Sequence, residues 1–330
     1  MRPPYSITDT ILHLVASISE KIGEINAAHL QRPAIELRKK NRIKSIQSSL
    51  EIEGNTLTIE QVTDIFANKR VLGPLKDILE VKNAISAYEK LEKFKADSFK
   101  SFLNAHKILM QGLVPSPGKF RGKSVGIMKG QKLSHVAPPP AQVHPLMKQL
   151  FTYLAKDKEQ LLIKSCVFHY ELEFIHPFTD GNGRMGRLWQ TVILKDKYPV
   201  FKFLPLESII KEKQQKYYEA LSRSDKAENS TFFVEFMLGI IEEALSSVLH
   251  SQNVTLTSSD RLSNAFGIFG KKNFTRKDYL RHFKHISPAT ASRDLKEGVE
   301  NKLLEMSGDK RTAVYRFRPS LTKRSGSVSV

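Results

Sequence analysis

Twelve residues near the middle of the chain combine the groups that handle phosphate: His176-Pro177-Phe178-Thr179-Asp180-Gly181-Asn182-Gly183-Arg184-Met185-Gly186-Arg187. An imidazole that titrates near neutrality is a ready general base. Pro177 disfavours helix at the residue before it, which predicts an extended His176 at the end of a loop. Phe178 supplies an aromatic anchor for that loop. Gly181-Asn182-Gly183 is a turn-prone run whose backbone N–H groups can converge on an anion. From about Asn182 the spacing turns helical, with Arg184, Arg187 and Leu188 three to four apart on one face. A helix N-terminus backed by two guanidiniums is a place to hold polyphosphate. Asp180 adds a hard oxygen ligand suited to Mg²⁺. Taken singly, each residue reads as an ordinary loop histidine or a solvated arginine. As a set, the eight fixed positions coincide by chance roughly less than once in a million such chains at average residue usage.

The elements that must position this segment read as helices. Ile7, Ile11, Leu14, Ile18, Ile22 and Ile25 predict an amphipathic helix over 7–29. A second helix is expected over about 34–54, stopped by Gly54 as the left-handed residue after its last turn. Ser49 and Glu53, four apart, share a face near its end. Thr58 and Gln61 then form a capping box for the next helix. Helices continue over 74–115, with His106 as a packed structural histidine. Pro115-Ser116-Pro117-Gly118 is a turn. From Phe120 to Lys129 the period changes, Val125 and Ile127 alternating with small or polar neighbours, which predicts a short strand or hairpin. After the stiff Pro138-Pro139-Pro140, one long helix is expected from Pro145 to Glu173, with His169 in a core role. Tyr217 and Tyr218 lie on a later helix, and a helix from Phe232 to Leu249 closes the core.

Beyond Val254 the composition shifts. A linker is expected at 251–258, a small domain at 259–320 and a disordered tail at 321–330. Thr275 to Asp278 reads as a capping box, and Ser287-Pro288 opens a helix that carries Thr290, Arg293 and Lys296 outward. Leu303–Met306 and Ala313–Phe317 read as a hairpin with a basic tip at Lys310 and Arg311. Residues 255–330 hold sixteen Lys and Arg against seven Asp and Glu, half of the chain's formal excess of +18. A basic helix beside a basic hairpin suits a duplex backbone. The same shape also serves as a protein contact or as the surface of a homodimer.

Composition bounds the rest. At 330 residues, 40% hydrophobic and 26% charged, the chain has material for an ample core. One cysteine, Cys166, excludes an internal disulfide and fits a reducing, cytoplasmic setting as a small buried hydrophobe. No apolar run approaches the roughly 20 residues needed to span a bilayer, so no membrane association is expected.

Residues 176–187 resemble, position for position, the signature of the Fic (filamentation induced by cAMP) family of AMP-transferring enzymes. The resemblance implies a mainly α fold. A Fic helical core at 101–250 would carry a β-hairpin flap, an N-terminal helical region at 1–100 would hold an inhibitory helix, and the C-terminal part resembles a winged helix-turn-helix domain. It implies that His176 takes the proton from a Ser, Thr or Tyr hydroxyl of a protein, the enzyme itself included. ATP is then the substrate, with Mg²⁺ on Asp180. Asp180, Gly181, Asn182, Gly183, Arg184, Gly186 and Arg187 would bind ATP, with Asn182 supporting the loop and Arg184 and Arg187 holding the departing pyrophosphate. The flap would add Ile127 and Met128, and Tyr218 an adenine contact. Some relatives carry Asn where this chain has Asp225, which leaves the base contact open. Intact Gly183 favours AMP transfer over other nucleotide chemistries. Ser49-x-x-x-Glu53-Gly54 resembles the family's inhibitory motif, which implies a bidentate Glu53–Arg187 pair that blocks productive ATP binding. The same glutamate would also serve removal of AMP. The reading from a different class is an ATP-sensing, DNA-binding transcription regulator.

Overall fold

The structure, a computed structural model, describes residues 2–27, 35–129, 132–251, 257–283, 286–309 and 312–318; the side chains of 35, 126–129, 132–136, 250 and 251 lie outside that description. The chain is mainly helical. It divides into two compact units, residues 1–23 with 31–246, and residues 24–30 with 247–330.

The first unit is built from α1 (Asp9–Ala27) up to residue 23, α2 (Ile35–Ile52), α3 (Ile59–Phe66), α4 (Leu75–Glu89), α5 (Phe99–Leu109), α6 (Pro140–Lys156), α7 (Leu161–Ile175), α8 (Asn182–Leu194), α9 (Leu206–Glu212), α10 (Gln214–Lys226) and α11 (Thr231–Ser251) up to residue 246. The last residues of α1 and α11 belong to the second unit. Antiparallel strands β1 (Gly126–Lys129) and β2 (Lys132–Val136) interrupt the helices. At the centre α7 packs along α8. Both are buried nearly all round, from Leu162 to Tyr170 and from Arg184 to Leu194. α7 does so as a largely apolar run, whereas α8 also buries Arg184, Arg187, Gln190 and Thr191, of which both arginines and Gln190 are hydrogen-bonded. Phe102, Phe151, Phe168, Phe178 and Trp189 interlock there with ring centroids 5.0–6.4 Å apart. Rings at these separations add contact energy beyond simple burial.

Local signals set the ends of several elements. α2 stops in a Schellman arrangement: Gly54 at φ +91° donates to Glu51 O, and the Asn55 N–H donates to Leu50 O. Thr58 caps α3 in a full capping box with Gln61. Cys166 is fully buried in α7, and burial pushes its thiol up to about 12. The helix expected from Pro145 to Glu173 is instead two. α6 begins at Pro140 and carries Pro145 within it, and α7 starts afresh after Asp157–Gln160. The Gln160 side chain caps α7, while Lys164 Nζ donates to the Leu154 and Asp157 carbonyls at the end of α6, at 3.0 and 2.9 Å. The hairpin lies later than expected, since residues 120–125 form no strand.

The second unit contains α12 (Ser258–Phe269), β3 (Phe274–Thr275), α13 (Arg276–His282), α14 (Pro288–Glu300), β4 (Leu304–Ser307) and β5 (Val314–Phe317). Its antiparallel sheet has the order β3-β5-β4. Thr257 caps α12, so helix already begins inside the stretch read as linker. β3 adds a third strand to the expected hairpin; Lys310, Arg311 and the tail lie outside the described residues. Leu262, Ala265, Phe274, Tyr279, Ala291, Leu295, Leu304 and Phe317 make its core. Arg261 clamps the buried Asp294 with two bonds of 2.5 and 2.7 Å, and Tyr279 adds a third at 3.2 Å. Arg293 and Lys296 are exposed on α14 and Thr290 is half-buried. Among the described residues no helix is long and apolar enough to cross a membrane.

Candidate active site

His176 follows the last turn of α7. Its N–H donates to Leu172 O at 3.0 Å and its backbone is left-handed, φ +48° and ψ +59°. The extended conformation expected before Pro177 is therefore corrected. The residue does sit beyond the helix, but capping α7 outweighs the pre-proline bias. A non-glycine residue held this way costs roughly 1 kcal/mol or more and needs outside support. Arg121 provides it. Its Nε donates to His176 O at 2.7 Å, its Nη2 to Ile175 O at 3.3 Å and Pro138 O at 2.5 Å, its Nη1 to Lys123 O at 2.9 Å, and its backbone N–H to Pro177 O at 2.9 Å. Desolvation lowers the pKa of this guanidinium. Nothing in the local sequence marks Arg121, because its partners are backbone carbonyls that any residue could provide.

Phe178 anchors the loop. It is fully buried and its ring stacks on His106, centroids 3.6 Å apart and 7° from parallel. His106 in turn accepts from Gly118 N–H on Nδ1 at 2.8 Å and reaches Asp180 O from Nε2 at 3.0 Å. Burial depresses its pKa to about 4, so the ring is neutral with the proton on Nε2. Asn182, 2% exposed, closes a ring with one backbone unit: Oδ1 accepts from Phe178 N–H at 2.9 Å and Nδ2 donates to Phe178 O at 3.0 Å. Gly181 starts α8 with φ +84°, where a Cβ would meet Met110 Sδ at 2.7 Å. Its N–H donates to Asp180 Oδ1 at 2.6 Å.

The two arginines expected to face pyrophosphate are both engaged by protein. Arg187, 3% exposed, donates from Nε to Ser49 Oγ at 3.0 Å and from Nη2 to Ser49 O at 2.9 Å and Glu53 Oε1 at 2.7 Å. The fork is thus divided between Ser49 and Glu53 in place of the bidentate carboxylate expected. Ser49, 5% exposed, is the more deeply buried partner, while Glu53 makes the shorter contact from the rim with 29% of its side chain exposed. Burial alone would lower the pKa of Arg187, but Glu53, Tyr217 and Glu173 hold it above its ordinary value. Arg184, 5% exposed, donates from Nη1 to Glu80 Oε1 at 3.0 Å and from Nη2 to Asp180 Oδ1 at 2.9 Å. Glu80, on α4, was not foreseen; one buried acid on an amphipathic helix looks like a boundary residue until its partner is known.

Gly183 explains how Glu53 fits. A Cβ there would stand 2.4 Å from Glu53 Oε1 and 3.1 Å from Arg187 Nη1. Gly183→Ala is accordingly expected to displace the Glu53 carboxylate at a cost of about 1–3 kcal/mol. In a Glu53→Gly background the same substitution should cost little, and a double-mutant cycle on urea unfolding measures the difference. Gly186 is closed in as well, since a Cβ would meet His169 Cδ2 at 2.6 Å and Glu173 Oε1 at 2.8 Å.

Behind the arginines lie two buried titratable groups of α7. His169 donates from Nδ1 to Gln190 Oε1 at 2.9 Å and accepts on Nε2 from Tyr217 OH at 3.2 Å, and burial depresses its pKa to about 3. Its role is in the core. Glu173 stands 3.8 Å from His169 Nε2. Burial, then the Glu53 charge, push Glu173 up to about 8 against an opposing pull from Arg187. Between its ordinary 4.5 and about 8 the folded protein therefore holds a proton that the unfolded chain releases. Stability contributed through Glu173 is expected to fall as pH rises across that window, by up to about 1.4 kcal/mol per unit. Urea midpoints at about pH 5 and about pH 8 check this, and Glu173→Gln should flatten the slope.

α2 is docked through a polar strip as well as its apolar face. Ser45 Oγ donates to Glu207 Oε2 at 2.7 Å, Ser48 and Ser208 hydroxyls meet at 3.1 Å, and Gln214 Nε2 donates to Ile52 O at 3.2 Å. Gln214 also reaches Tyr218 OH at 3.3 Å, which places Tyr218 beside the end of α2. α10, which carries Tyr218, runs next to β2. Asp225 accepts from Tyr170 OH at 2.9 Å. Ile127 and Met128 pair across the hairpin with His135 and Leu133, with a register shift between them; their side chains lie outside the described residues.

Residues 98–194 match the Fic/DOC family. A crystal structure of a Fic family protein from Desulfovibrio desulfuricans G20 is 40% identical, covers 97% of this chain and 99% of its own, and superposes with a TM-score of 0.74. The chain belongs to the Fic family. Fic-1 from C. elegans shares the fold at 19% identity, covering 73% of this chain and 72% of its own with a TM-score of 0.61. Among curated Fic relatives, one named protein adenylyltransferase Fic from Drosophila willistoni is 28% identical over 251 residues, 71% of this chain and 47% of its own length. One of the same name from Nematostella vectensis is 28% identical over 255 residues, 71% of this chain and 56% of its own length. This Fic chain thus spans about half the length of the curated relatives it matches.

Proposed function

We propose that this protein transfers AMP from ATP to a Ser, Thr or Tyr hydroxyl of a protein, itself included, and that Glu53 holds the activity down. The observation that carries the reading is the arrangement of one loop: His176 at the end of α7, the N-terminus of α8 six residues later, and two buried arginines on its first turns. In the reaction His176 takes the hydroxyl proton, the oxygen bonds the α-phosphorus, and the bond to the bridging oxygen breaks to release pyrophosphate. The first-turn N–H groups of α8 meet charge on the α-phosphate oxygens. Arg184 and Arg187 take the pyrophosphate once Asp180 leaves Arg184 Nη2 and Glu53 leaves Arg187 Nη2.

Among the described residues no three His, Cys, Asp or Glu groups gather to hold an ion by themselves. A single carboxylate completed by phosphate and water oxygens is, however, an ordinary Mg²⁺ site, and Asp180 keeps 46% of its side chain exposed beside the loop. Asp180 would hold Mg²⁺ together with the phosphates, and the ion supplies charge neutralisation there. Glu53 on Arg187 occupies the guanidinium that the terminal phosphate needs, and Ser49 fixes its angle. Tyr218 and the β1–β2 hairpin border the nucleotide, and the hairpin registers the target segment by backbone pairing. Removal of AMP by a water that Glu53 orients is the reverse use of the same site. A reducing, cytoplasmic setting fits the lone buried Cys166.

The regulator reading gains no support from the comparisons. The second unit, whose helix and sheet order fits a winged helix-turn-helix domain, offers exposed Arg293 and Lys296 to a duplex, a protein partner or a second copy. Label from [α-³²P]ATP and from [γ-³²P]ATP separates the chemistries. Only the α label should stay on protein; retention of γ label would mean phosphorylation, and salt-dependent DNA binding without labelling would favour the regulator.

A further inference from the structure

Glu80 lies outside the twelve-residue motif, yet both of its oxygens are engaged. It is 6% exposed, on the second turn of α4. Oε1 accepts from Arg184 Nη1 at 3.0 Å, and Oε2 accepts from Asn55 Nδ2 at 2.8 Å. Asn55 follows Glu53 and Gly54, is 6% exposed, and is the residue whose N–H completes the stop of α2. The first turn of α4 holds the same loop from the other side. Asp77 O accepts from Asn55 Nδ2 at 3.1 Å, and Asp77 Oδ2 accepts from Thr56 N–H and Oγ1 at 2.9 and 2.7 Å.

The Arg184 guanidinium is fixed asymmetrically. Nη1 is held deep, by Glu80. Nη2 is held at the rim by Asp180, whose side chain is 46% exposed. Nε is buried and meets no acceptor among the described residues. A buried N–H without an acceptor is costly unless a ligand completes it. An arginine anchored at one end, with its other donors on or beside a replaceable partner, is preorganised for an anion, because little rotamer freedom remains to be lost on binding.

We infer that Glu80 is a positioning residue for nucleotide binding: it pins Arg184 through Nη1 so that Nη2 and Nε meet phosphate. Through Asn55 it ties that clamp to the end of the helix carrying Glu53. The inference rests on the proposed ATP site and adds a residue outside the motif to it. Glu80 touches no nucleotide in this account; its influence passes through Arg184.

Equilibrium binding of ATP with Mg²⁺ to the full-length Glu53→Gly protein, followed by calorimetry, tests it. Glu80→Gln, which keeps the shape and removes the charge, is expected to raise the ATP Kd roughly tenfold, the scale of one charge-assisted bond. In an Arg184→Ala background the same change should have no further effect. In labelling assays the ATP KM should rise with the Kd while kcat moves less than about threefold. Asn55→Ala should weaken ATP about threefold when Glu80 is present and not at all in Glu80→Gln. Equal weakening by Glu80→Gln with and without Arg184 would mean general damage to the fold and would overturn the inference. So would an ATP Kd unchanged by Asn55→Ala, which decides the matter even if Glu80→Gln fails to fold. Absence of ATP binding to the Glu53→Gly protein itself would instead remove the proposed function.

Discussion

In a Glu53→Gly background, His176→Ala is expected to cut AMP transfer by roughly a hundredfold to ten-thousandfold, the range that a positioned general base contributes. The loop around the imidazole has supports other than its ring: Arg121 grips the carbonyls of Ile175, His176 and Pro177, and Phe178 is stacked on His106. Removing the ring leaves these supports of the α8 N-terminus in place. ATP affinity should stay within about threefold of the parent, so the loss should fall in kcat. His176→Asn is a useful companion because asparagine tolerates the left-handed backbone at φ +48° better than alanine does. If both variants lose transfer equally while binding ATP, backbone strain is not the cause.

The second large effect is in the opposite direction. Glu53→Gly alone is expected to raise self-labelling by roughly tenfold to a hundredfold. A hydrogen bond between charged groups contributes about 1.5–3 kcal/mol, and that is what the Glu53 Oε1 to Arg187 Nη2 contact at 2.7 Å must hold against ATP. Because 29% of the Glu53 side chain remains exposed, the lower part of that range is the better guide. Initial rates at saturating ATP measure the increase. Equal rates for the two proteins would remove the autoinhibition while leaving the transfer chemistry intact. Glu53→Gln, which keeps the size and drops the charge, should fall between them.

The parts of the site that were legible from the sequence are those whose causes are local. The 176–187 segment carries its chemistry in contiguous residues, and Gly54, Thr58, Thr275 and Ser287 announce helix ends by their own side chains or lack of one. Pairing of Glu53 with Arg187 was reachable only through the family resemblance, since 134 residues separate them. Glu80 and Arg121 were not reachable at all. Glu80 meets Arg184 across 104 residues, and the side chain of Arg121 binds carbonyls, which have no signature in sequence. The division between α6 and α7 was hidden for another reason. Lys156 to Gln160 contains ordinary helix formers, and the break is stabilised by Lys164 reaching back to the end of α6. The left-handed His176 is a case where two local rules conflict, and the helix cap wins over the proline that follows.

Intact mass spectrometry of the Glu53→Gly protein after incubation with ATP and Mg²⁺, followed by sequencing of the altered peptides, is the most direct measurement. The account expects whole adenylate groups on Ser, Thr or Tyr side chains, with pyrophosphate released in equal amount and no adduct on the Glu53→Gly/His176→Ala protein. Phosphate in place of adenylate, or adenylate that persists without His176, would contradict it.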